Sequence, residues 1–162
     1  MSEAVSTESF RHALARFASG VTIVAVRTAA GPVGFTASAF ASLSLAPPLI
    51  LVCVNKRGSS HDAVVGAESF GVSVLSDRQR RIAETLGRSG FDRFRDVPLC
   101  DEAPPLVAGA LARLECRRYA AHDGGDHTIV VGEVVRAAID SGRPLVHYDR
   151  QLGGFSTQGG EP

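Results

Sequence analysis

Short apolar runs rich in β-branched residues recur along this sequence, and they limit its possible folds more than any other feature. Such runs are typical of β-strands when turn residues separate them. They predict six or more strands, at Val21–Thr28, Val33–Phe40, Pro47–Asn55, Phe70–Leu75, Ala110–Ala121, Thr128–Ile139 and Pro144–Tyr148. Helices do not alternate with these strands, which disfavours a doubly wound parallel sheet. The sequence therefore predicts a mainly β domain with a few helices, folded as an antiparallel barrel.

Two segments show helical rather than strand spacing. Apolar residues recur every three or four positions from Thr7 to Ser19, with Ser6 or Thr7 available as N-cap and Gly20 as C-cap. The same spacing recurs from Asp77 to Leu86, with Asp77 as N-cap. We therefore expect one helix ahead of the first strand and another in the middle of the chain.

Size and composition indicate one intracellular domain. The 162 residues predict a single domain over 1–155 and a flexible tail over 156–162. The 17 basic and 17 acidic residues balance without a basic stripe, which argues against a nucleic-acid partner. No apolar run approaches the ~18 residues that a membrane-spanning helix needs, and the first residues lack the layout of a signal peptide. Three cysteines without CxxC spacing favour the reducing cytoplasm over a disulfide framework.

Small and hydroxylated residues interrupt the apolar pattern between Gly34 and Leu45. Thr36, Ser38 and Ser42 alternate there with alanines. Small side chains let a flat ligand approach the backbone, and hydroxyls supply directional hydrogen bonds to its polar edge. The alternative is an edge strand with a solvated face, which the same pattern would produce.

The segment Val54–Val65 has the composition of an anion site. A strand ends at Asn55, the cations Lys56 and Arg57 follow, and Gly58-Ser59-Ser60 opens a short helix. The GxxxxGK[ST] pattern of a P-loop is absent. A capped helix with two solvated cations explains the pattern equally well, with Ser60 acting only as the cap.

The segment "AHDGGDHTIVVGEV" predicts a hairpin turn, since Gly124 and Gly125 adopt positive φ freely. Its histidines and aspartates would bind a metal only if the turn folded back on itself, and no cysteine cluster or HExxH helix supports such a site. A catalytic triad is weaker still, because no serine lies in a GxSxG elbow. A turn histidine without function is the remaining alternative. The residues alone thus predict a small-molecule-binding β-barrel.

The order of these motifs resembles the flavin reductase family, the small NAD(P)H-dependent components of two-component flavin monooxygenases. The likeness begins at "FRHALARFASGVTIVAV" and continues through "GPVGFTASAFASLSLAPPLILVCVN", "SSHDAV", "FGVSVLS" and "FDRF". It closes with "GDHTIVVGEV" and "PLVHYDR", so it covers nearly the whole chain. The family implies an FMN-binding split β-barrel of Greek-key type, a homodimer, and a flavin near the subunit boundary.

The resemblance also assigns site residues by position. Those expected to bind flavin are Thr36, Ala37, Ser38, Ala39, Phe40, Ser42, Val54, Asn55, Lys56, Ser59, Ser60, Phe91 and Phe94. Those expected to meet the nicotinamide nucleotide are Gly125, Asp126, His127, Tyr148, Asp149 and Arg150. The segment "HYDRQLGGF" departs from the family pattern, since it is longer than the commoner family ending.

The resemblance implies hydride transfer from NADH to FMN and delivery of the reduced flavin to a separate monooxygenase. NADPH and FAD remain open as substitutes. His127 would orient the nicotinamide as the catalytic-site histidine, and Asp126 would brace the turn. Two alternatives remain: a flavin-dependent reductase acting directly on an organic or corrinoid substrate, and a flavin-binding module without turnover.

Overall fold

A curled, seven-stranded antiparallel sheet forms the body of the protein. The computed structural model describes residues 4–88, 90, 92–101 and 103–157, so Phe91 and most of the expected tail 156–162 lie outside the described residues. The strands are β1 (Ser19–Gly20), β2 (Thr22–Thr28), β3 (Gly31–Ala37), β4 (Phe40–Leu45), β5 (Pro48–Asn55), β6 (Ser69–Val74), β7 (Ala112–Gly124), β8 (His127–Ile139), β9 (Leu145–Tyr148) and β10 (Gln151–Gly154). The helices are α1 (Thr7–Ala15), α2 (His61–Gly66) and α3 (Arg80–Leu86), with a 3₁₀ turn at Asp77–Gln79.

The strand order explains the curl of the sheet. The strands of the large sheet lie in the order β3-β2-β6-β7-β8-β5-β4, and a separate sheet has the order β1-β9-β10. β3 and β4 form opposite edges of the large sheet, yet only Ser38 and Ala39 separate them along the chain. Three Cα–Cα steps span at most about 11 Å. The two edges therefore approach each other at this end without pairing, and the expected split barrel is confirmed.

Apolar side chains cover both faces of the sheet. Successive residues of a strand point to opposite faces, so β2 contributes Ile23 to one buried cluster and Val24 to another. The first cluster includes Leu86 of α3, and the second includes Phe70 of β6. Burial on both faces explains why β2 reads as a continuous apolar run rather than an alternating one.

The predicted helices are present, but their ends differ from the expectation. α1 begins after Ser6, whose Oγ accepts from the Ser9 N–H (3.1 Å), as predicted. It ends at Ala15 rather than Ser19, and Gly20 is not its C-cap. Gly20 instead pairs with Val146 in β1, because the small sheet takes the backbone groups that a longer helix would need. Asp77 is likewise not an N-cap, since the 3₁₀ turn begins after Ser76.

One predicted strand is divided in the structure. The run Val33–Phe40 breaks at Ser38 and Ala39, which connect the two sheet edges. β7 starts two residues later than predicted and extends to Gly124, since it continues to the hairpin turn. No helix in the described part of the chain is long and apolar enough to cross a bilayer.

Candidate functional site

A cleft of about 260 Å³ opens where the end of β5, the loop before α2 and the end of α3 meet. Its walls are Phe35, Thr36, Val54, Asn55, Gly58, Ser59, Ser60, His61, Leu86, Gly87, Arg88 and Arg93. A second cleft of about 610 Å³ includes Val33, Gly34 and Phe94, and it shares Ser59 and Arg93 with the first. Ligand sites commonly occupy about 300–1,000 Å³, so the two clefts together have the size of a site for a nucleotide-like molecule.

Several predicted flavin residues meet at the smaller cleft. Thr36, Val54, Asn55, Ser59 and Ser60 come from β3, β5 and the loop before α2, and all of them line it. The structure thus brings together two segments with different sequence patterns, Gly34–Leu45 and Val54–Val65, at one cleft.

The strand junction after β3 contributes backbone and small side chains. The Thr36 hydroxyl donates to the Ala83 carbonyl (2.7 Å), which fixes α3 above β3. Ala37 is 5% exposed and packs in the second buried cluster, so a ligand would reach its backbone rather than its methyl group. Ser38, Ala39 and Ser42 are exposed, and Phe40 is half-buried.

The serines and asparagine before α2 shape the loop. The Ser60 hydroxyl, buried at 3% exposure, donates to the Gly34 carbonyl (2.8 Å). Ser60 occupies the N-cap position of α2 but makes no side-chain capping bond, so the alternative in which it acts only as the cap is wrong. Asn55 Oδ1 accepts from the Arg57 N–H (2.8 Å), as in an Asx turn. Ser59 is exposed between the two clefts, so its hydroxyl is accessible to a ligand.

Arg93 supplies a positive charge that sequence reasoning missed. Its guanidinium donates to the carbonyls of Gly34 (3.0 Å), Leu86 (2.8 Å) and Arg88 (2.7 Å), and to Ser60 Oγ (3.2 Å). All four acceptors are neutral, and no carboxylate among the described residues pairs with it. An uncompensated cation between two clefts favours an anionic ligand there. The arginine of the motif "FDRF" was visible in the sequence, but the family resemblance assigns flavin binding to the two phenylalanines of that motif.

Phe94, the phenylalanine of that motif that the structure describes, is largely buried. Phe94 is 8% exposed and belongs to the first buried cluster, although it contributes to the wall of the larger cleft. The structure therefore places Phe94 as a packing residue at the edge of the site.

The predicted hairpin joins β7 and β8 through a two-residue loop. Gly124 pairs with His127, which leaves Gly125 and Asp126 in the loop. Only Gly125 has positive φ (75°), at the first loop position, as a type II′ turn requires. Asp126 Oδ1 lies 2.6 Å from His127 Nδ1, and this hydrogen bond lowers the pKa of the Asp126 carboxyl. Because Nδ1 is used in this way, Nε2 is the ring nitrogen left for a ligand.

Two contacts place this hairpin beside the smaller cleft. Asn55 of β5 pairs with His127 in the sheet. His61, which sequence reasoning missed, lies with Nε2 2.9 Å from Thr128 Oγ1 and Nδ1 2.7 Å from Asp62 Oδ1. The sequence feature that could have indicated His61 as a site residue is its position directly after Ser59 and Ser60. His61 thus lines the smaller cleft and contacts Thr128, the residue that follows His127 in β8.

Lys56 lies outside the walls of both clefts. Its Nζ contacts the Asp123 carboxylate and donates to the Gly125 carbonyl (2.6 Å). The Lys56 ammonium group thus points to the hairpin rather than into either cleft.

The segment Tyr148–Arg150 lies elsewhere in the chain, at the turn between β9 and β10. Asp149 (φ 48°) and Arg150 (φ 62°) are the two loop residues of this hairpin, and positive φ at both positions is what a type I′ turn requires. The Asp149 N–H donates to the Ala15 carbonyl (2.9 Å), and its carboxylate lies 3.5 Å from Arg16 Nη1. These contacts attach the turn to α1, whereas the Gly125–His127 turn contacts the loop after β5. The two segments expected to meet the nicotinamide nucleotide are held by different elements.

Comparison with known proteins identifies the family. The model of the flavin reductase like domain matches residues 14–156. The FMN reductase (NADH) SmoA of Agrobacterium fabrum is 47% identical over 155 residues, covering 94% of this chain and 88% of that protein. The 4-hydroxyphenylacetate 3-monooxygenase reductase component of Thermus thermophilus is 43% identical, covering 88% of this chain and 93% of that protein. The solved Streptomyces globisporus NADH:FAD oxidoreductase SgcE6, in complex with NAD and FAD fragments, superposes with a TM-score of 0.90 at 33% identity, covering 98% of this chain and 100% of that one. The chain therefore belongs to the flavin reductase like family that its motifs resemble.

Proposed function

We propose that this protein is an NADH-dependent flavin reductase that supplies reduced flavin to a separate monooxygenase. The observation that carries the proposal is the paired cleft, with small hydroxylated walls and the uncompensated charge of Arg93 where its two parts meet. A flavin nucleotide combines a flat polar-edged ring with a phosphate, and this cleft offers complementary groups to both. The relatives named as an FMN reductase (NADH) and as a monooxygenase reductase component support the same function.

The flavin site that we propose follows the described geometry. The ring would lie along the β3–β4 junction, and the phosphate would lie near Ser59 and Arg93. Of the residues proposed to contact flavin, Thr36, Val54, Asn55, Ser59 and Ser60 line the smaller cleft. The others lie at the β3–β4 junction, outside the walls of both clefts, and are proposed from the family resemblance: Ala37, Ser38, Ala39, Phe40 and Ser42. Phe94 gives packing support at the wall of the larger cleft. The clefts accept FMN or FAD by size, because the larger one adjoins the proposed phosphate position.

The chemistry is hydride transfer from the nicotinamide to the flavin, and the two substrates supply it between them. The protein's contribution is alignment of two flat rings at roughly 3–3.5 Å. Gly125 gives the hairpin its tight turn, Asp126 fixes the His127 ring through Nδ1, and Nε2 is available to orient the nicotinamide nucleotide. No proton transfer by His127 is needed for this step.

We further propose a homodimer formed through α1. Phe10 (55% exposed), Leu14 (53%) and Phe17 (72%) lie on one side of this segment, and α1 has no buried residue within one chain. A nine-residue helix is marginal in water unless its apolar face is covered. A second copy would cover it and would place the attached Tyr148–Arg150 turn at the subunit boundary. There the turn could meet a nucleotide held by the partner subunit.

The cysteines support a reducing, cytoplasmic location. Cys53, Cys100 and Cys116 are unpaired. Burial raises the pKa of Cys116 to about 12, so its thiol stays protonated and unreactive at neutral pH.

A steady-state assay with the purified protein tests the proposed activity. NADH oxidation should be fast with added FMN or FAD and negligible without a flavin, since free flavin is the electron acceptor. NADPH at the same concentration serves as the matched comparison. Tightly co-purified flavin with no NADH oxidation would instead indicate a binding module, and turnover that requires a further organic or corrinoid acceptor would indicate a different reductase.

A further inference from the structure

Lys56 is the only lysine in the sequence, where the other 16 of 17 basic residues are arginines. Its ammonium group contacts the β7–β8 hairpin at two points, the Asp123 carboxylate and the Gly125 carbonyl (2.6 Å from Nζ). Its backbone N–H donates to the Asp126 carbonyl (3.0 Å). One residue of the loop that follows β5 therefore holds three points of the hairpin: the Asp123 side chain and the carbonyls of Gly125 and Asp126.

These contacts form a closed ring of polar groups. The Asp123 carboxylate accepts from Lys56, and a bond from the Gly125 backbone also stabilises its charged form. Both effects lower the pKa of Asp123, the lysine hydrogen bond most, so this carboxylate remains ionised well below neutral pH. The side chains are 38% and 79% exposed, and ion pairs at such positions contribute little to global stability. This contact therefore matters for the position of the turn rather than for the stability of the fold.

The turn and the flavin cleft are joined at the same loop. Asn55 lines the cleft and precedes Lys56, while Asp126 and His127 follow the carbonyl that Lys56 binds. A small rotation of the hairpin would move His127 relative to the cleft. In a reaction that depends on ring alignment, such a displacement lowers productive binding.

We propose that Lys56 is a positioning residue for the nicotinamide nucleotide: it locks the Gly125–His127 turn against the flavin cleft and does not bind the flavin phosphate. This inference rests on the proposed function, because it assigns a role within the same site. It differs from the phosphate role that the motif alone suggested for this lysine.

Four variants test the proposal: Lys56→Met, Asp123→Asn, the double variant and Lys56→Arg. Methionine keeps an unbranched apolar stem and removes the charge and the donors. We expect the first two changes each to raise the KM for NADH roughly three- to tenfold with a smaller fall in kcat. The double variant should be no worse than either single one, since both remove the same contact. Lys56→Arg should retain most of the affinity for NADH, because a guanidinium also donates to a carboxylate.

Measurements of flavin affinity distinguish a positioning role of Lys56 from recognition of the flavin phosphate. The dissociation constants of FMN and of riboflavin, which lacks the phosphate, should stay unchanged in Lys56→Met. Arg27→Met, which removes an exposed cation from β2, is the matched charge control and should behave as the wild type. A loss of FMN affinity without a loss of riboflavin affinity, with Asp123→Asn silent, would overturn the proposal.

A ligand-free measurement keeps this inference separate from the proposed function. Lysine labelled with ¹⁵N at Nζ gives one side-chain ammonium signal, since the chain has a single lysine. Asp123→Asn should shift that signal, and Arg27→Met should not. An unshifted signal would show that the pair does not form and would overturn the proposal even if the enzyme is active. A shifted signal in a protein that does not oxidise NADH would leave the contact intact and refute the proposed function instead.

Discussion

His127 presents one ring nitrogen to Asp126 and keeps the other for a ligand. If its role is orientation, His127→Ala should raise the KM for NADH more than it lowers kcat, because binding is lost rather than a proton donor. Steady-state kinetics at saturating FMN checks this, with His122→Ala on exposed β7 as the histidine control. Loss of hydride transfer at an unchanged NADH affinity would contradict the orienting role.

At the scale of residues, the sequence could predict what is local. The hairpin turn followed from Gly124 and Gly125 because positive φ is a property of the residue itself, and the structure uses Gly125 for it. The roles of Arg93 and Lys56 could not be predicted in this way. Arg93 meets Gly34 across 59 residues and Lys56 meets Asp123 across 67, so only the folded sheet determines their partners.

Among the elements, β2 and β3 are packed so closely that one glycine is required. A Cβ added at Gly34 would overlap the Val24 carbonyl and lie 2.9 Å from Ala25 Cα. We expect Gly34→Ala to lower the free energy of unfolding by about 1–3 kcal/mol, as overpacking does. Urea denaturation measures the change, and Gly66→Ala is the control because nothing lies within 4 Å of its added Cβ. Equal stability of the two variants would show that the strands adjust without cost.

The same strand pair shows where element prediction stops. Composition located the apolar run around Gly34, but the break at Ser38 and Ala39 depends on the two sheet edges approaching each other. The end of α1 depended similarly on β1 pairing with β9. Whether a segment forms a strand or a helix could be predicted from its own residues. Where it ends depends on which other segment pairs with its backbone N–H and C=O groups.

In the fold as one unit, the apolar N-terminal segment with Phe10, Leu14 and Phe17 stays exposed, since the described residues of the chain do not bury it. The sheet brings segments of the proposed flavin site together within one chain. The Tyr148–Arg150 turn is attached to α1 instead. Assembly through α1 is therefore the step that would join the second nucleotide-binding segment to a site.

Leu14→Glu tests that assembly, because it adds a charge to the middle of the exposed apolar face. Burying an unpaired carboxylate at an interface is costly, so we expect this variant to sediment as a monomer where the wild type sediments as a dimer. His12→Glu is the control, since position 12 lies about 160° around the helix from Leu14. If Tyr148–Arg150 acts across the boundary, the monomer should also show a raised KM for NADH with unchanged FMN affinity. A monomeric wild type, or a Leu14→Glu variant that stays dimeric, would contradict this interface.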